Sequence, residues 1–179
     1  MNISFTAMGA EDSSAIIAFL SSNSFPFHVR RDWSVPELQV VVDSGRYWNN
    51  ESQGFWIVGD GERLGMVVLE DLEDDTPMFD LRLAENYRGQ GLGTPILKEL
   101  CAMVFKEYPE IVRFEGQTRE DNIAMRKVFH KAGFLKEAHY RMSWPVEDGT
   151  RLASVAYAIL RQDWESGEST SFDWYDLEI

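Results

Sequence analysis

Apolar and polar residues alternate over positions 2–8, which predicts a first strand. Residues 10–22 open on acids and serines and then cluster Ile16, Ile17, Phe19 and Leu20, the signature of a helix. A Pro-containing loop at 25–31 leads to Ser34-Val35-Pro36-Glu37, where a polar cap, a first-turn proline and an acid suited to the helix dipole begin a second helix that Gly45 ends. Two apolar runs, 54–59 and 63–70, flank Asp60-Gly61, a hairpin signal. The acidic stretch 70–75 turns the chain into a third strand over 78–83, where Phe79, Leu81 and Leu83 alternate with Asp80 and Arg82. A glycine-rich turn follows, then a helix over 94–107 with Ile96, Leu97, Leu100, Cys101, Val104 and Phe105 at helical spacing. The pattern continues with a strand over 111–116, a helix from Asp121 to Ala132 ended by Gly133, and strands over 134–145 and 152–161 divided by Glu147-Asp148-Gly149. The order βααβββαβαββ predicts an α/β fold: a mixed sheet with helices on its faces.

The chain of 179 residues is one domain's length, and 44% hydrophobic residues suffice for a sizeable core. We divide it into a single domain over 1–164 and an acidic tail over 165–179. The 30 acids outnumber the 17 Lys+Arg, giving a formal net charge of -13. That balance argues against nucleic acid or an anionic membrane surface as the partner. Six acids fall between Glu70 and Asp80, a cluster expected to lie mostly at the sheet end away from any phosphate. No apolar run reaches the length of a membrane span, the N-terminus does not read as a signal peptide, and the single cysteine, Cys101, forms no internal disulfide. Nothing has metal-ligand spacing. These features describe a soluble cytoplasmic protein.

The candidate chemistry lies in Arg88-Gly89-Gln90-Gly91-Leu92-Gly93-Thr94, where a strand passes through three alternating glycines into a helix start. Glycines allow close approach of a ligand to the backbone, and the unpaired amides of a first helical turn favour phosphate. The spacing is G-x-G-x-G, so neither a dinucleotide fingerprint nor a Walker loop is met, although Glu115 stands close to where a dinucleotide fold places its acid. Arg88 adds a cation at the edge.

Arg88–Gly93 resembles the [RQ]-x-x-G-x-[GA] signature of the GNAT superfamily of acetyl-CoA-dependent N-acetyltransferases. Residues 122–134 resemble that family's N-x(6)-[YF]-x-K-x-G-F helix, and 155–164 its last strand in the ribosomal-protein-alanine and spermidine acetyltransferase branch. The resemblance covers residues 3–164. It implies a mostly antiparallel sheet of six to seven strands flanked by about four helices, with acetyl-CoA as co-substrate. It also implies that the amides of Gln90 to Thr94 hold the pyrophosphate, and that the strand before the turn splays from its neighbour so that Leu81, Arg82 and Leu83 pair with the pantetheine arm. Asn122 then bonds that arm, and Arg119 and Arg126 are near enough in sequence to meet the adenosine phosphates. A homodimer is consistent with relatives.

Acetylation of an amine needs a proton acceptor and a polarised thioester carbonyl. Asp80 and Glu115 are the candidate bases, with a water chain as the alternative. Many relatives protonate the leaving thiolate with a tyrosine seven residues after the helix asparagine, but here that position is Phe129. Another group serves, the thiolate leaves unprotonated, or the protein is a non-catalytic acyl-CoA-binding module. The acceptor pocket is expected between 25–33, with Phe27, His28 and Trp33, and the 145–151 turn. His130 and His139 are expected on solvated faces. The acceptor itself stays open: a protein N-terminus, a polyamine or another small amine.

Overall fold

The computed structural model describes residues 1–177. The chain forms β1 (Ile3–Ala7), α1 (Ser13–Ser22), α2 (Val35–Asp43), β2 (Gln53–Gly59), β3 (Glu62–Glu70), β4 (Met78–Leu83), α3 (Gly93–Glu107), β5 (Arg113–Arg119), α4 (Ile123–Lys131), β6 (Leu135–Pro145), β7 (Arg151–Leu160) and α5 (Arg161–Ser166). The seven strands make one sheet in the order β1-β2-β3-β4-β5-β7-β6. All pairs are antiparallel except β4 with β5.

Local chemistry explains the boundaries. Asp60 and Gly61 both take positive φ (50° and 87°), the type I′ geometry whose twist suits a two-residue hairpin between β2 and β3. Glu37 accepts hydrogen bonds from the Ser34 amide (3.0 Å) and hydroxyl (2.6 Å), which starts α2. Gly133 (φ 93°) ends α4 in a Schellman turn: the Phe134 amide donates to the Phe129 carbonyl and the Gly133 amide to that of His130. The Phe129 and Phe134 rings, 5.3 Å apart, supply the hydrophobic contact of that turn.

Strand alternation divides the core between the two faces of the sheet. Ile57, Val67, Leu69 and Phe114 pack under α3 and α4, while Trp56, Met66 and Val68 pack under α1 and α2. The loop over 25–33 and α2 therefore cover the face opposite the long helix.

α1 begins at Ser13, three residues later than expected, and β5 at Arg113 instead of 111; three further differences bear on the site. β5 runs to Arg119 instead of 116, because Ser154–Leu160 of β7 pairs with all of it. Glu115 is thus inside the strand, not at its end. The last helix of the domain core begins at Ile123, with Asn122 as its cap. A short α5, absent from the expected order, follows β7. Its first residue, Arg161, donates to the carbonyls of Phe105, Tyr108 and Ile111 at 2.7, 2.7 and 2.8 Å, capping the C-terminal end of α3. Residues 167–177 form no helix or strand, and the last two positions of the expected tail lie outside the described residues. Among the described residues no helix is long and apolar enough to cross a membrane.

Candidate active site

β4 and β5 meet at one registered pair, Met78 with Glu115. Just before it, the amides of Val112 and Glu115 donate to Asp75 and Pro77 at 2.9 and 3.1 Å. Beyond it the strands part, so the sheet holds the splay that the resemblance implies. Leu81, Arg82 and Leu83 pair with Val67, Met66 and Gly65 of β3 on one side, and their other edge faces the gap.

The gap leads to the glycine turn. Gly89 and Gly91 have φ of 73° and 79°, and among the described residues nothing lies within 4 Å of where a Cβ would stand on either. Gly93 has a different reason: a Cβ there would meet Val128 Cγ2 at 2.8 Å, so its absence lets α3 start against α4. The backbone amides of residues 89–94 find no acceptor among the described residues, and Pro95 has no N–H to offer. Gly89, Gln90 and Gly91 are exposed, while Leu92 and Thr94 are half-buried. An open cradle of unpaired amides at a helix start fits a pyrophosphate.

The expected arginines are placed otherwise than as free cations. Arg88 turns inward, with Nε donating to the Leu83 carbonyl (2.8 Å) and Nη1 to that of Ser24 (2.7 Å), its guanidinium 5.0 Å from the Phe25 ring centre. Arg119 pairs with Asp121 (2.6 Å), donates to the Pro26 carbonyl (3.2 Å) and lies over Phe27. Arg126 donates to the Glu120 carbonyl (2.7 Å) and the Tyr157 hydroxyl (3.1 Å). All three bind protein groups, and two of them, Arg88 and Arg119, tie residues 24–27 to the turn and the splay.

A cavity of about 540 Å³ opens where the splay begins, between β3, β4, β5 and the loop before α2. Phe27, His28, Trp33, Asp80, Leu81 and Arg82 line it, as do Asn122 and Phe129. The 145–151 turn reaches the same loop through Glu147, 3.5 Å from Arg31. Glu115 is not on the wall: it pairs with Arg113 (2.6 Å) and accepts from Gln117 (2.9 Å). His130 and His139 are exposed, as expected. Among the described residues no group of three or more metal-ligating side chains occurs.

Asp80 is the polar centre. It accepts from Arg82 Nη2 at 2.8 Å and from His28 Nε2 at 2.9 Å. Burial by itself pushes its carboxyl up, but the Arg82 guanidinium and His28 hold it well below the usual carboxylate range. A carboxylate cannot donate, so in the neutral ring His28 Nε2 carries the proton and Nδ1 the lone pair. Nδ1 is buried and has no partner among the described residues. Asn122 Oδ1 accepts from the Met125 amide (3.2 Å), capping α4, while its Nδ2 donates to Thr118 (2.9 Å). Phe129 is 1% exposed and stacked on Tyr157, with centroids 4.7 Å apart and planes 3° from parallel. The Tyr157 hydroxyl, the nearby phenol, is bound to Arg126.

Sequence reasoning missed Arg46, Glu70, Gln117 and Trp144, which also line the cavity. In the sequence Glu70 is the first acid of the cluster that forms the turn. Burial raises its pKa, with Arg46, its ion-pair partner, opposing the shift. The period-two run Met66, Val68, Glu70 on one face of β3 was the signal that could have found it. Asp71, Glu73, Asp74 and Asp75 are exposed, so the ends of the acidic cluster turn inward and its middle stays in solvent.

A three-layer α/β/α domain with a split sheet and a glycine cradle at the open end defines an acyltransferase architecture. Residues 3–135 match the family described as acetyltransferase (GNAT) domain, and the chain belongs to that acetyltransferase family. Its fold is similar to that of a spermidine N-acetyltransferase from Vibrio cholerae solved in complex with CoA and spermine (15% identity, 91% of this chain and 98% of that one, TM-score 0.78). It is also similar to RimL, a ribosomal L7/L12 alpha-N-protein acetyltransferase solved with coenzyme A (17%, 89% and 94%, TM-score 0.73). A probable acetyltransferase is similar as well (20%, 90% and 94%, TM-score 0.72).

Proposed function

We propose that this protein is an acetyl-CoA-dependent N-acetyltransferase that passes the acetyl group directly to a primary amine in a ternary complex. The observation that carries this reading is the combination of an amide cradle at 89–94, the open edge of β4 that runs up to that turn, and a cavity beside β4 with an oriented histidine. When bound, acetyl-CoA supplies the activated acyl group. The turn amides would hold its pyrophosphate and Leu81–Leu83 its pantetheine arm, and the CoA-bound relatives support that assignment. His28 Nδ1 accepts the proton the amine loses as its nitrogen bonds the acyl carbon and the carbon–sulfur bond breaks. Asp80 is a positioning residue: its low basicity makes it a poor base, but it orients and charge-stabilises His28. Glu115 supports the strand beside the pivot and has no direct part.

Phe129 favours a second reading, a non-catalytic acyl-CoA-binding module, because no hydroxyl stands where many relatives have their acid. Incubation with acetyl-CoA and an amine panel, following thiol release, decides between them. Amine-dependent release is the expected result; CoA binding without it establishes the module.

A further inference from the structure

Three features of the cavity bear on what the acceptor carries besides its amine. Both carboxylates on the wall are already bound by cations: Asp80 by Arg82 and His28, and Glu70 by Arg46. Two aromatic faces are covered by the protein's own guanidinium groups, Arg30 lying 4.4 Å from the Trp33 ring centre and Arg119 5.0 Å from that of Phe27. A polycation is held by free carboxylates or open aromatic faces, and these residues offer neither. The third feature is a surplus of donors. Of the five buried side-chain atoms without a partner among the described residues, Arg88 Nη2 lies off the cavity wall, and the four on residues that line it are three donors, Arg82 Nη1, Trp33 Nε1 and Trp144 Nε1, against a single lone pair at His28 Nδ1. Guanidinium and indole N–H groups cannot accept. A buried donor left open is costly until an acceptor closes it.

These donors come from β4, from the loop before α2 and from the end of β6, and all three residues line the one cavity. The remainder of that wall is apolar, with Leu20, Val41, Met66 and Val68. We infer that the acceptor is an amine that also bears a carboxylate on a compact apolar body, with Arg82 as the charged donor to the carboxylate and the two indoles as supporting donors. This rests on the acyl-transfer reading above. It sets the protein apart from an enzyme for polyamines, although one similar fold was solved with spermine.

The test uses ω-amino carboxylates, alkylamines and α,ω-diamines of equal chain length, together with apolar α-amino acids and their decarboxylated amines. Each is assayed for kcat/KM by thiol release. The carboxylate members should exceed their uncharged counterparts by about tenfold or more, as loss of a hydrogen bond to a charged group predicts, with diamines lowest. Arg82→Met should abolish the preference. Trp144→Phe, which deletes only the indole donor from an aromatic ring, should reduce it. CoA affinity on the same preparations reports that the variants are folded. Diamines equal to or better than carboxylates, or a preference that survives both substitutions, overturn the inference. Calorimetry with phenylacetate against phenylacetamide reads the site without turnover. If CoA binds but no amine releases thiol, the acyl-transfer reading fails, and preferential binding of phenylacetate, lost in Arg82→Met, still upholds the carboxylate site. Equal binding of the two overturns the site whatever the kinetics show.

Discussion

Replacing Gly116 by alanine puts a methyl group where β5 crosses the ring cluster beneath the splay. The added Cβ would lie 2.7 Å from both Phe129 Cζ and Phe79 Cζ, and 2.8 Å from Phe129 Cε1. Carbon atoms pack at about 3.5–4.0 Å, so both rings must withdraw by about 1 Å. Both rings edge the cavity, but each is backed by other rings that resist the shift. Phe129 is clamped between Tyr157 and Phe134, and Phe79 lies 4.9 Å from Phe114, centre to centre. Overpacking of this kind costs about 1–3 kcal/mol, and relief from glycine's backbone entropy offsets roughly 0.5–1 kcal/mol. A clash with two rings at once places the overpacking cost in the upper part of its range, about 2–3 kcal/mol. The net destabilisation should therefore be about 1–2 kcal/mol, a fall in Tm of roughly 2–8 °C for a chain of this size. Urea and thermal unfolding followed by circular dichroism measure it. Adding Phe129→Leu to the same chain shortens the clashing ring, so the double variant should be more stable than the sum of the two single losses. A Gly116→Ala chain as stable as its parent, or strictly additive losses, would refute the account of packing at the splay.

Gly91→Glu places a side chain in the open cradle at a φ of 79° and adds a negative charge where a pyrophosphate would sit, so calorimetry should find CoA binding abolished; unchanged affinity sinks the cradle's assignment. Asn122→Ala removes the α4 cap and should cost about 1 kcal/mol in denaturant unfolding, most of which Asn122→Asp restores because it keeps the accepting oxygen. An aspartate variant no better than alanine would show that the cap is not what Asn122 supplies. Glu70→Gln addresses the carboxyl whose pKa burial raises. The folded protein holds that proton more tightly than the unfolded chain, so the ionised form lowers stability near neutrality and this loss fades as pH falls through the raised value. The stability of Glu70→Gln relative to the parent should therefore rise with pH between the ordinary and the raised carboxylate value. Asp80, depressed in the fold, contributes with the opposite sign in both chains and cancels. A difference independent of pH contradicts the assignment.

The elements themselves were legible because each carries its own local signal: the Asp60-Gly61 turn, the Ser34–Glu37 cap and the Gly133 stop act over a few residues. The cradle was legible for the same reason. What could not be read were the destinations of long side chains. Arg88, Arg119 and Arg126 are near a phosphate turn in sequence, yet each finds backbone carbonyls first, and only the tertiary path of residues 24–26 and 120 shows where those carbonyls are. His28 and Asp80, 52 positions apart, are each candidates in the sequence, but their bond depends on how the loop over 25–33 crosses β4. Trp144 and Arg46 escaped because exposed-looking strand ends and loop tips give no periodicity to read. α5 escaped because six residues carry too little pattern to stand out from the strand before it.

The single contact between β4 and β5 makes the sheet two smaller sheets that share a pivot. Past Met78 and Glu115, each inner strand has an edge inside the molecule, with main-chain groups on its open side that the neighbouring strand does not reach. Such an edge invites strand addition, and most proteins blunt or cover it. Here it is shielded from other chains by the helices on both faces, yet remains open at the end where the turn lies. Amides along it should exchange with solvent faster than their ladder-bonded neighbours on β3 and β7, and anything extended that enters the cleft and pairs with them would lock the two half-sheets together as one rigid body.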